Sequence, residues 1–111
     1  MDTDKITQIL ETVKDLTNQK KLNWETDNSG ITYESFCSVV GKYKILVYTS
    51  AMENVFIMYD IENNNNELGR LNESYWNRDV HQIGEFIQKV KRQVHHIEEG
   101  LDDLFNQLKK S

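Results

Sequence analysis

The chain has 111 residues, 38% of them hydrophobic, with two Trp, five Tyr and four Phe, which is enough to bury one core and too little to divide between two domains. Its 13 Lys and Arg against 18 Asp and Glu, a formal charge of −5, oppose nonspecific binding to nucleic acid or anionic membranes. Interleaved basic residues argue against an acidic DNA mimic. A single cysteine excludes an intramolecular disulfide and with it a stapled secreted scaffold.

No basic leader opens Met1-Asp2-Thr3-Asp4, and no apolar run approaches the ~20 residues of a membrane span. A cytoplasmic protein is expected, with residues 1–111 forming one domain. The absence of proline beside abundant Asn, Lys and Ile points to a bacterial or phage source.

Residues 4–21 read as an amphipathic helix, because Ile6, Ile9, Leu10, Val13 and Leu16 recur at three-and-four spacing. Asp2, Thr3 and Asp4 suit its amino terminus, and Lys20 and Lys21 its carboxy terminus. Residues 31–71 then read as an antiparallel sheet of about four strands. Thr32–Val40 and Tyr43–Thr49 form a hairpin about Gly41-Lys42. Val55–Ile61 is apolar on both faces, as an interior strand requires. Asn63–Asn66 tolerate the left-handed geometry of a turn into a short last strand at Glu67–Leu71. The short connections between strands predict a meander.

Val80, Ile83, Ile87, Val90, Val94, Ile97, Leu101, Leu104 and Leu108 continue as an unbroken heptad seam, predicting one long helix over 79–109. Such a helix is about 46 Å long and outruns strands of about 17–30 Å. Its excess is covered by the first helix, by a break at Gly100 that folds the end back, or by a second subunit. Phe86 and Phe105 widen the stripe, which favours intramolecular packing over half the helix and self-association over Val94, Ile97, Leu101, Leu104, Phe105 and Leu108. The fold class is therefore α+β: helix, meander, long helix.

Catalytic chemistry finds no constellation. His95-His96 point about 100° apart on a helix and do not share one ion, and a His95/Glu99 pair falls off the apolar seam. Cys37 lies mid-strand among Phe36, Val39 and Val40, the setting of an inert buried thiol. Glu98-Glu99 and Asp102-Asp103 read as solubilising charge. No phosphate loop, nucleophile elbow or zinc-protease motif is present. Trp24 and the Tyr75-Trp76 pair are each either buried anchors or exposed contacts for a partner or ligand, with anchoring favoured.

The order of elements resembles a loose group of small bacterial helix–meander–helix proteins. The resemblance rests on Lys20-Lys21-Leu22-Asn23-Trp24-Glu25 as a G-K-L-x-W-E-like entry and on Ile97-Glu98-Glu99-Gly100-Leu101-Asp102-Asp103-Leu104-Phe105 as an L-D-D-L-L-like end. Asn63–Asn66 depart from the D-x-x-G-like turn of that group. The resemblance implies the architecture and brings no activity.

The expectation is a non-enzymatic interaction or regulatory protein of immunity, antitoxin-like or counter-defence type. It would act through a protein partner and as a homo-oligomer, first of all a dimer, without cofactor, metal, nucleic acid or membrane. The alternative is a small-molecule or nucleotide binding module, with Tyr33, Tyr43, Tyr48 and Tyr59 lining a cleft between sheet and helices.

Overall fold

A computed structural model describes residues 3–27, 34–74 and 82–110; Asp2, Tyr33, Tyr75, Trp76 and Val80 lie outside the described residues. Helix α1 (Thr3–Asn18) buries Ile6, Leu10, Val13 and Thr17 on one face, as the spacing of its apolar residues requires. It stops short of residue 21 in a Schellman end. The Lys21 amide donates to the Leu16 carbonyl (2.9 Å) and the Lys20 amide to that of Thr17 (3.0 Å), with Lys20 left-handed at φ 59°.

The sheet has five strands rather than about four: β1 (Glu25–Thr26), β2 (Ser35–Val40), β3 (Tyr43–Thr49), β4 (Glu53–Asp60) and β5 (Asn66–Ser74). They lie in sequence order and are antiparallel throughout. The extra strand, β1, is two residues long and exists by pairing with Phe36 and Cys37; no local pattern marks it. Gly41 opens the β2–β3 turn at φ 61°, the position where a type II′ hairpin wants glycine. Asn64 and Asn65 take φ 55° in the turn before β5, the geometry asparagine tolerates.

Phe36, Ile45, Val47, Phe56 and Met58 face the helices and close the core with Leu10, Val13, Phe86 and Val90 among others. Gly69 lets α1 approach β5, since a β-carbon there would lie 2.7 Å from Ile6 Cδ1. Cys37, Leu46, Val55 and Ile57 are buried on the other face, so β4 buries apolar side chains on both faces.

The seam at the carboxy terminus is continuous in sequence, but the helix is not. Helix α2 (Gln82–Val94) and helix α3 (Ile97–Lys109) replace the single helix expected over 79–109. They break at His95-His96, not at Gly100. His96 turns left-handed at φ 51°, a conformation that histidine enters more readily than most side chains. The Gly100 amide donates to the His96 carbonyl at 3.0 Å, so Gly100 belongs to the first turn of α3.

Helix α2 lies on the sheet with Ile83, Phe86, Ile87 and Val90 buried. Among the described residues, α3 packs substantially only against α2. Its projection gives a radius of gyration of 15.8 Å and a long dimension of 58 Å, where a compact chain of this length has a radius near ~13 Å.

Gly100 is exposed, with open space where a β-carbon would sit. Gly100→Ala is expected to strengthen α3 by about 1 kcal/mol and slow amide exchange in that helix about fivefold. Faster exchange after the substitution would place the helix break at Gly100 after all.

Candidate functional site

Leu101, Leu104, Phe105 and Leu108 fall on one face of α3 and are 53%, 55%, 57% and 63% exposed. Roughly 100 Å² of each remains wet, making a stripe of about 400 Å² that ranks with the largest apolar patches of ordinary monomers. The Lys109 ammonium sits 4.5 Å from the Phe105 ring centroid and flanks the stripe. Of the residues expected in this seam, Val94 is half-buried against the core and Ile97 is half-buried at the corner. The exposed seam therefore begins at Leu101.

A second apolar feature lies on the main body. A groove of about 300 Å³ runs between α1 and the β2–β3 hairpin, lined by Ile9, Val13, Leu16, Val40, Tyr43 and Leu68 among others. Pairing of β4 with β5 shifts register between Met58 and Tyr59, so that Met58 faces Gly69 while Tyr59 faces Glu67. Leu68 is the extra residue of this bulge, and its side chain reaches the helix-side groove. Bulges commonly re-aim a side chain in this way. Val40, Tyr43 and Leu68 are each more than two-fifths exposed. Sequence reasoning placed Tyr43 in a cleft between sheet and helices but missed the other walls of the groove, because it is assembled from segments far apart in the chain.

Trp24 is the anchor that holds the corner where α1 ends. Its indole N–H donates to Thr17 Oγ1 at 3.0 Å, and its ring meets Phe86 edge-on at 5.7 Å between centroids. Thr17 is fully buried. Its hydroxyl donates to the Val13 carbonyl at 2.7 Å, and its own carbonyl accepts from Gln93 Nε2 at 2.8 Å. The corner between α1, Trp24 and the end of α2 is thus fixed by hydrogen bonds as well as packing.

The tyrosines do not share one cleft. Tyr43 borders the helix-side groove, whereas the registers Tyr48↔Val55 and Lys44↔Tyr59 put Tyr48 and Tyr59 on the opposite face. Burial pushes the Tyr59 phenol up from its ordinary value, and the Glu67 carboxylate adds to the shift against the pull of Arg70 and Lys44.

The two histidines diverge because the helix breaks at them. His95 Nε2 lies 3.7 Å from Glu34 and its ring packs edge-on against Phe36, while His96 Nδ1 lies 3.7 Å from Glu99. Glu99 therefore pairs with His96 rather than with His95. Among the described residues no cluster of three or more His, Cys, Asp or Glu is placed to hold a metal. No helix among them is long and apolar enough to cross a membrane.

Cys37 is buried as a free thiol. Burial pushes it up from its ordinary value; Lys44 works in the opposite direction, and Asp27 and Glu25 add to the rise. Because the thiolate is the reactive form, Cys37 in the native protein is expected to react with a disulfide reagent far more slowly than after unfolding in urea. Equal rates in a stopped-flow assay would contradict this placement.

Against this geometry, comparison with known proteins finds no matching family model, no matching curated protein and no matching solved structure.

Proposed function

We propose that the protein is a non-enzymatic interaction and regulatory protein that works as a homodimer, with α3 of each copy seated in the groove of the other. The observation that carries this reading is a pairing of unmet surfaces. Helix α3 exposes Leu101, Leu104, Phe105 and Leu108, and the body offers an apolar groove beside α1.

Area favours reciprocal exchange over simple pairing of the two α3 helices. One stripe-to-stripe contact removes only about 800 Å², the scale of crystal packing, whereas two stripe-to-groove contacts bury both stripes and both grooves and reach the ~1,000 Å² that a specific interface needs. Two-fold exchange also closes the assembly, so no unmet surface is left to recruit a further copy.

Light scattering across a dilution series tests the dimer, and Leu68→Glu in the groove tests its geometry. The expected result is a dimer for the parent chain and a monomer for Leu68→Glu. A parent chain that stays monomeric at every concentration overturns self-association, and a dimer unaffected by Leu68→Glu overturns the groove as the docking site.

A further inference from the structure

A cleft of about 420 Å³ opens at the corner between the ends of α1 and α2 and the start of α3, lined by Lys20, Trp24, Lys89, Arg92, His96 and Glu99 among others. In a chain of formal charge −5, this lining gathers three permanent cations and a histidine around one carboxylate. Its volume falls in the range of small-ligand pockets.

Two of the basic residues occupy positions where another residue type costs less. Lys20 and His96 follow the ends of α1 and α2 with φ of 59° and 51°, the left-handed site where helices most often place glycine. A side chain there is sterically disfavoured relative to glycine, less so for histidine than for lysine. Both side chains line the same cleft. Backbone strain retained around one cavity motivates a ligand hypothesis.

The rest of the lining is partly prearranged. Lys89 Nζ donates to Asn18 Oδ1 at 3.5 Å, which holds it at the rim. Trp24, pinned through its indole N–H to Thr17, gives the cleft a rigid aromatic wall that needs no further ordering when a ligand arrives.

We infer that this cleft binds a small phosphorylated ligand of nucleotide size, its phosphates held by Lys20, Lys89, Arg92 and His96 and its flat ring set against Trp24. Charge-assisted hydrogen bonds from lysine and arginine suit phosphate oxygens, and an indole face suits a planar heterocycle. This inference is independent of dimer formation, because every group it uses belongs to one copy.

Calorimetric titration of the full chain with ADP, pyrophosphate and adenosine tests it. ADP is expected to bind most tightly, pyrophosphate more weakly and adenosine not measurably, with the affinity for ADP falling as salt is raised. Lys89→Ala combined with Arg92→Ala should weaken ADP binding tenfold or more with the helix content of the parent chain retained. Glu99→Gln, which removes the carboxylate from the lining, should tighten it, a gain that damaged folding cannot mimic. Absence of heat with both ADP and pyrophosphate, or an affinity indifferent to these substitutions, would overturn the site and leave its cations as partners of the helix-end carbonyls. Pyrophosphate binding as tightly as ADP would overturn the role of Trp24.

Discussion

Replacing Glu73 by alanine is expected to cost about 3 kcal/mol of stability, more than any other single polar substitution among the described residues. Glu73 lies on β5, is only 5% exposed, and its Oε2 accepts from the amides of Ile83 (2.6 Å) and Gly84 (3.0 Å). Those amides belong to the first turn of α2, where no carbonyl of the helix itself can satisfy them. The carboxylate also opposes the positive end of the helix dipole. Truncation removes the acceptor and leaves two amides to be satisfied in a poorly hydrated corner. Glu73→Gln keeps one oxygen as an acceptor and loses the charge, so about half the cost is expected. Urea unfolding followed by circular dichroism, with an unchanged dependence on denaturant, is the measurement. A loss below about 1 kcal/mol for alanine would show that α2 does not depend on this cap.

The cap also shows why part of this structure is legible in sequence and part is not. Local devices can be read directly: the apolar face of α1, Gly41 in the β2–β3 turn, and the asparagines at φ 55° before β5 each act through residues adjacent in the chain. Glu73 acts on a helix that begins nine residues later, and nothing in Asn72-Glu73-Ser74 distinguishes it from surface charge. Strand β1 fails to announce itself for the same reason, since its two residues are a strand only because Phe36 and Cys37 accept them.

The break at His95-His96 is hidden by a different mechanism. The step from Val94 to Ile97 keeps the heptad spacing across the corner, so a pattern of apolar positions cannot detect the change in backbone direction. What changes is the backbone of one residue, His96, whose two dihedrals both turn left-handed (φ 51°, ψ 42°), and no glycine or proline marks it. The consequence falls on the candidate site: the same seam is divided into a buried half on α2 and a wet half on α3. Sequence spacing could therefore name Leu101, Leu104, Phe105 and Leu108 but could not supply the groove that matches them.

Charging that wet half is the second large effect. Leu104→Glu together with Leu108→Glu is expected to convert a dimer to a monomer and to raise the dissociation constant at least a hundredfold, since each leucine would be a central apolar contact worth about 2 kcal/mol. Both side chains are more than half exposed on a helix that stands away from the core, so helix content and monomer stability at high dilution should match those of the parent chain. This separates the outcome from unfolding. Leu104→Met and Leu108→Met keep an apolar surface and should preserve the dimer. If the glutamates dissociate the dimer and Leu68→Glu does not, the two α3 helices pair with one another instead of exchanging into grooves. If a parental dimer survives the glutamates, α3 is not the contact surface, and the proposed function loses the observation that carries it.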